Sequence, residues 1–290
     1  MTKRVISVFL CVLCVISSIS FIVSAKENKE YTSDNFLSVA DGIIAWKKAD
    51  NGSEPDGYLI NDKYLENAGT TPGDWYPIAL GRLGIQDNNE GYLAVIKDRV
   101  EERYRESGRL SAAKATEWHR IALAVLAMGG DPTNFGTDEN GAPINLIADG
   151  TYDRGKTTPL GRQGINGWIW GLITLDSMRY AVPDGANNTR DDIIVEIISK
   201  QLSDGGFALS SDDADPDITA MAITALAPYY NSEKIYSYHR KALSVDESKT
   251  VHEVVDEAVL CLSRLQLDTG DYKSWGTQNV ESTDWVAVAL

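Results

Sequence analysis

Five segments of ten residues line up without gaps, and this internal repeat constrains the fold more than any other feature of the sequence. The segments span residues 74–83, 117–126, 166–175, 217–226 and 281–290. Each begins with an acid or an amide and ends nine residues later with leucine. Their starts are 43 to 64 residues apart, a period typical of a two-helix unit, and their even apolar content predicts buried inner helices.

Amphipathic stretches between these segments predict a second, outer set of helices. They cover residues 36–48, 92–105, 191–202 and 252–265, and a shorter helix is expected near 144–148. In the last long stretch, apolar residues recur at helical spacing while Glu253 and Asp256 take the opposite face. Strand patterns are scarce, so the sequence predicts an all-α fold of helix pairs stacked in two layers.

Closing such a row of helix pairs into a ring would remove the exposed ends that an open row has to cap. The fifth segment stops at Leu290 in mid-helix. We therefore expect either a fragment or a ring that is incomplete at its C-terminus and completed by another segment.

The first 25 residues have the pattern of a secretory signal peptide. Two cations, Lys3 and Arg4, precede a long apolar run that ends in small residues at Ala25. A membrane anchor is the alternative, because the run approaches the length needed to span a bilayer. The small residues favour cleavage, so we expect a linker at 26–35 and a secreted or cell-surface repeat domain at 36–290.

Charge and cysteine content narrow the set of partners. The chain has 27 Lys and Arg against 42 Asp and Glu, a net charge of −15, and loss of the signal peptide would make it −17. Such a surface repels phosphate backbones and anionic lipid, so we expect neither nucleic acid nor stable membrane insertion. After cleavage only Cys261 would remain, which excludes an internal disulfide.

Two turns after outer helices repeat a Gln-x3-Gly-x-aromatic pattern, formed by Gln201, Gly205 and Phe207 and by Gln266, Gly270 and Tyr272. The pattern resembles the QW-type repeat of squalene and terpene cyclases, which the β subunits of protein prenyltransferases share loosely. Residues 215–229 and 274–283 resemble secreted bacterial proteins built from this repeat. The resemblance covers 36–290 and implies an (α/α) toroid, but it does not by itself imply an activity.

We expect these turns to be structural. Glycine can adopt a positive φ after a helix, and a glutamine side chain can satisfy free backbone groups while the aromatic ring packs over it.

The strongest candidate for catalysis is the stretch from Asp215 to Ala220. Squalene-hopene-type cyclases carry Asp-x-Asp-Asp-Thr-Ala at the start of an inner helix, and the resemblance implies that Asp217 matches the acid that protonates the isoprenoid. Such a carboxyl must be held protonated in a dry pocket. The sequence keeps Asp215 and Asp217 but has Ile218 in place of the last acid.

The repeat itself favours a different role for Asp217. Asp74, Glu117 and Glu281 occupy the same column, at the predicted start of their helices. Acids at this point cap a helix or complement its dipole. We therefore interpret Asp217 first as an N-cap, and the pair Asp215 and Asp217 as catalytic only in second place.

No metal or cofactor site is predicted. Prenyltransferases bind zinc through an Asp-x-Cys pair, but Val259 stands two residues before Cys261. Three alternating acids beginning at Asp213 have the spacing of a calcium loop, yet Ile218 stands where that loop needs glycine.

Aromatic residues give the best clue to binding. The second, fifth and ninth columns of the aligned segments share a helical face that carries Trp75, Trp118, Trp170, Trp285 and Arg82. If this face looks into the ring, it lines an aromatic pocket, and if it looks outward, these are ordinary core residues.

We therefore expect a secreted toroid protein without catalytic activity, which binds a small or apolar ligand in its cavity or at its rim. The alternative is a terpene or squalene cyclase-like isomerase with Asp217 as general acid. The incomplete acid motif at Ile218 favours binding. Secretion favours it as well, because it would separate an enzyme from membrane-borne isoprenoids.

Overall fold

The computed structural model describes residues 33–154 and 159–290. The chain divides into two compact units, of which the first ends at Leu59 and the second spans Ile60–Leu290. The predicted signal peptide and most of the predicted linker lie outside the described residues. Among the described residues, no helix combines the length and the apolar composition that a bilayer-spanning segment needs.

The first unit is built around one long helix, α1 (Ser33–Asn51), which contains the predicted helix 36–48. The helix is followed by Gly52, whose φ is +76°. The Asn51 side chain donates a hydrogen bond to the Leu59 carbonyl at 3.0 Å, which ties the end of the helix to the loop that follows.

The five aligned segments all form helices of the second unit. After the short helix α2 (Asp62–Leu65), they are α3 (Thr71–Leu83), α5 (Thr116–Ala127), α7 (Ile165–Asp176), α9 (Pro216–Leu226) and α11 (Val280–Ala289). Each of these inner helices packs against the next one in chain order, so they form a continuous row. Gly81 permits the close approach of α3 to α5, because a Cβ at this position would clash with the Ala127 carbonyl.

Outer helices alternate with the inner ones. They are α4 (Asn89–Ser107), α6 (Leu146–Gly150), α8 (Arg190–Ile198) and α10 (Val251–Leu265). The helices α6, α8 and α10 each pack on the inner helix that precedes them. The described residues are thus mostly helical, as the sequence predicts, and the helices alternate as the repeat requires.

A β-hairpin departs from the expectation of an all-α fold. Strand β1 (Ile235–Arg240) pairs antiparallel with β2 (Val245–Thr250), with Ile235 opposite Thr250. Every second residue of β1 is buried, and the strand packs on α8. The hairpin therefore extends the outer layer between α9 and α10. A minimal second hairpin, β3 (Lys273–Ser274) with β4 (Thr277–Gln278), precedes α11.

The two Gln-Gly-aromatic turns form the same hydrogen bond. Gln201 donates from Nε2 to the Gly205 carbonyl at 2.8 Å, and Gln266 donates from Nε2 to the Gly270 carbonyl at 2.8 Å. Both glycines have a positive φ, +89° and +91°. The structural role expected for these turns is therefore confirmed.

The repetition extends into the helices that follow. Phe207 and Tyr272 are buried, and each donates its backbone N–H to a threonine hydroxyl, Thr219 at 2.9 Å and Thr283 at 3.1 Å. Both threonines stand in the third column of the aligned segments. The turns before α9 and α11 are thus equivalent in their hydrogen bonds as well as in sequence.

The helix caps differ from the prediction. The N-cap of α9 is Asp215, whose carboxylate accepts from the backbone N–H groups of Asp217 and Ile218 at 2.9 and 3.2 Å. Asp217 lies inside the first turn, so its interpretation as the N-cap is wrong. The other acids of its column also lie in the first turn of their helices, at Asp74, Glu117 and Glu281. An acid in the first turn still complements the helix dipole.

Candidate functional site

A cleft of about 410 Å³ is lined by residues from all five inner helices. We call it the tryptophan cleft, and its walls are Thr71, Trp75, Thr116, Arg120, Asn166, Trp170, Met221 and Trp285. The first and the last helix of the row, α3 and α11, therefore face the same space.

Three indoles dominate this cleft. Trp170 lies between Trp75 and Trp285, with ring centroids 5.6 Å from each and ring planes inclined at 59° and 81°. Trp75 is 39% exposed, and the other two are half-buried. These steep angles show that the three rings are not stacked in parallel.

Asn166 supplies a free polar atom to the cleft. Its Oδ1 is buried and has no hydrogen-bond partner among the described residues. Asn166 lies one helical turn before Trp170 on α7, so the two side chains share a face. Sequence reasoning missed Asn166, although it opens its aligned segment, and it missed Met221, although Met221 shares the fifth column with Trp170 and Trp285.

The structure separates Trp118 and Arg82 from the three tryptophans, so the five residues expected on one face do not form one site. Trp118 is completely buried, donates from Nε1 to the Tyr104 hydroxyl at 2.7 Å, and packs under the Arg154 guanidinium at 3.9 Å. Arg82 is exposed in the last turn of α3. Trp118 is therefore a core residue.

The cation at the cleft is Arg120, and all five of its N–H groups are already donated. Nε donates to Asp74 at 2.8 Å, and the two terminal nitrogens donate to the Glu117 carboxylate at 2.8 and 3.0 Å. The remaining two bonds go to the Thr71 hydroxyl at 3.3 Å and the Gly69 carbonyl at 3.1 Å. Arg120 therefore joins α3 to α5 and offers no free donor to a ligand.

The carboxylates of this network are buried with it. Burial raises the pKa of Asp74, against hydrogen bonds from Tyr92, Arg120 and the Gly69 backbone that act to lower it. Burial also acts to raise the pKa of Glu117, but the hydrogen bonds and charge of Arg120 bring it below its ordinary value. The network is therefore a structural ion-pair cluster in which Arg120 bridges two carboxylates.

A second cleft, of about 570 Å³, lies at the N-terminal end of α9, and we call it the acidic cleft. Asp213, Asp215 and Asp217 line it together with Lys273 and Trp275. Met221, four residues after Asp217 on α9, lines both clefts, so the two spaces adjoin.

The two candidate catalytic acids lie in the acidic cleft and differ in their surroundings. Both carboxylate oxygens of Asp215 already accept hydrogen bonds: one caps α9, and the other accepts from the Ser274 hydroxyl. Burial raises the pKa of Asp217, the neighbouring hydroxyls of Ser282 and Ser274 act to lower it, and the charges of Asp215 and Glu281 raise it further. Oδ1 of Asp217 is buried without a hydrogen-bond partner in the described part of the chain.

No metal centre is formed by the described residues, since no three of their His, Cys, Asp and Glu side chains are arranged to hold an ion. Asp213, the first of the three alternating acids whose spacing resembles a calcium loop, is exposed. Cys261 is buried and forms no disulfide with any other described residue.

Comparison with protein-family models, curated proteins and solved structures gives no significant match. The geometry of the two clefts is therefore the basis for inferring function.

Proposed function

We propose that this protein is a secreted, non-catalytic binding protein with an (α/α)-toroid fold, which holds a small and largely apolar ligand in the tryptophan cleft. The observation that carries this proposal is that all five inner helices contribute to one cleft, into which three indoles project. Inner helices that surround a common cavity are what a toroid requires, and the resemblance of the repeat to cyclases supports the same arrangement.

The size and composition of the cleft suit a small ligand. Its volume of about 410 Å³ lies within the range of ligand pockets, which are lined mainly by apolar and aromatic side chains with a few polar groups. Covering about 200 Å² of apolar surface would contribute about 5 kcal/mol, before the losses of freedom on association. That magnitude limits the Kd to about 0.2 mM, so we expect binding in the millimolar range.

An isoprenoid cyclase remains the second candidate because of one observation, the raised pKa of Asp217 in a cleft that adjoins the tryptophans. A general acid needs such a shift. However, Asp217 is only half-buried and lies beyond Met221 rather than among the indoles, and Ile218 replaces the last acid of the motif. The geometry therefore favours binding.

Titration with the neutral apolar dye N-phenyl-1-naphthylamine tests the binding proposal. We expect the dye to become fluorescent on binding, and Trp170→Ala to weaken its binding at least about tenfold, because an aromatic wall of the cleft is lost. The matched control is Trp46→Ala, at an exposed tryptophan of α1 that does not line the cleft. Equal affinity of the two variants would contradict the proposal.

Incubation with squalene and shorter polyprenyl substrates separates the two candidates. We expect no cyclised product by mass spectrometry. Product formed by the wild type and lost in Asp217→Asn would establish the cyclase instead.

A further inference from the structure

The walls of the tryptophan cleft offer aromatic faces to whatever occupies it. The faces of Trp75, Trp170 and Trp285 carry the negative side of the ring quadrupole. Arg120 is the charged residue among the described walls, and its five donors are taken by its own network. Asn166 adds an acceptor oxygen to which none of the described residues donates.

This combination disfavours anionic ligands. A carboxylate or phosphate would find no free cationic donor in the cleft, and it would have to approach a chain with a net charge of −15. A purely apolar ligand would fill the space but would leave the Asn166 oxygen as it is, without a hydrogen bond, whereas a ligand with a donor could supply one.

We propose that the ligand of the tryptophan cleft carries a quaternary ammonium group together with a nearby hydroxyl or amide donor. This inference rests on the proposed binding function of the same cleft. A quaternary ammonium has no N–H to donate, so it needs no carboxylate acceptor, and its charge is spread over methyl groups that pack against aromatic faces. Three indoles line the one cleft, and the ring of Trp170 is inclined at 59° to that of Trp75 and at 81° to that of Trp285, so their faces are turned in different directions.

Asn166 is the acceptor for the ligand's hydroxyl or amide donor, which lies next to the cationic group. Asn166 lines the same cleft, one turn of α7 before Trp170, and its buried Oδ1 has no hydrogen-bond partner among the described residues. The indoles thus recognise the charge, and the amide recognises the attached polar group.

Choline and 3,3-dimethylbutan-1-ol provide the test, because they share shape and hydroxyl and differ in one atom that carries the charge. Both are titrated into the full chain and followed by tryptophan fluorescence and calorimetry. We expect choline to bind at least about fivefold more tightly than its neutral isostere, the lower range of a desolvated cation–π contact.

Variants identify the side chains that recognise the cationic group and the hydroxyl. Trp170→Leu should abolish the preference for choline, and Trp46→Leu should keep it. Asn166→Leu should weaken both compounds by the same factor, since both carry the hydroxyl. The wild-type ratio alone decides the inference if a variant fails to fold.

The outcomes separate the two proposals. Equal binding of choline and its isostere, or binding of the naphthylamine dye without any binding of choline, would overturn the quaternary ammonium inference and leave the binding function intact. Failure of all three compounds to bind would overturn both.

Discussion

Protonation of His119 should link the stability of this fold to pH. His119 lies completely buried on α5, where its Nε2 donates to the Gly150 carbonyl at 2.6 Å. Burial lowers the pKa of the imidazole to about 4, although the hydrogen bond to Gly150 acts in the opposite direction. In the unfolded chain the same group titrates at about 6.5.

The sign follows from the order of these two values. Because the pKa of the folded state is the lower one, the unfolded state binds the proton more tightly, and stability is lost as pH falls from about 6.5 towards 4. At pH 5 the linkage gives a loss of about 2 kcal/mol relative to pH 7.5, and below pH 4 the loss approaches about 3.4 kcal/mol.

Urea unfolding followed by far-ultraviolet circular dichroism at pH 7.5 and pH 5 measures this loss. His119→Gln keeps an N–H donor but does not titrate, so carboxylate contributions cancel when it is compared with the wild type. The free energy of unfolding should fall by about 2 kcal/mol more in the wild type than in this variant. The same pH dependence in wild type and His119→Gln would refute the reasoning.

Two further pairs of variants test the repeat, each by urea unfolding at pH 7. Gly205→Ala places a Cβ 2.7 Å from the Glu257 carbonyl oxygen and should lower the free energy of unfolding by clearly more than Gly270→Ala, where φ is also positive but the space is open. The latter should cost about 1–2 kcal/mol, and equal losses would show that the contact with Glu257 adds nothing to the cost of the positive φ. Asp215→Ala removes an N-cap and should cost about 0.5–2 kcal/mol, whereas Asp217→Asn should cost less than about 0.5 kcal/mol. A larger loss for Asp217→Asn would show that the cap is misassigned.

The inner helices could be predicted because their apolar columns repeat with a fixed length. The segment 217–226, for example, coincides with α9 to within one residue at its start. The hairpin was missed although Tyr236 and Tyr238 are buried between exposed neighbours, a readable alternation of period two. Six residues of such a pattern are outweighed when every surrounding stretch has helical spacing.

The site was predicted only in part. A column of the alignment gives the face of the helix on which a residue lies, but it does not show which other element packs against that face. Trp170 and Trp285 share a column and both reach the cleft. Trp75 and Trp118 also share one, yet α5 lies between α3 and α7 and carries α6 as well, so Trp118 is covered. Caps were misplaced for a related reason, since aligned apolar columns give the phase of a helix but not its first residue.

The cleft joins residues that are remote along the chain, so its shape depends on every helix of the row being in place. Trp75 and Trp285 stand on the first and last inner helices, which contact fewer neighbours than α7. In a row stabilised by nearest-neighbour packing, the terminal elements open most readily. Opening of α11, whose Val280 and Val288 are 70% and 67% exposed, would remove Trp285 while the centre of the row stays intact. A ligand bound in the cleft would therefore stabilise α11 against opening, and slower amide hydrogen exchange in α11 would report that the ligand is bound.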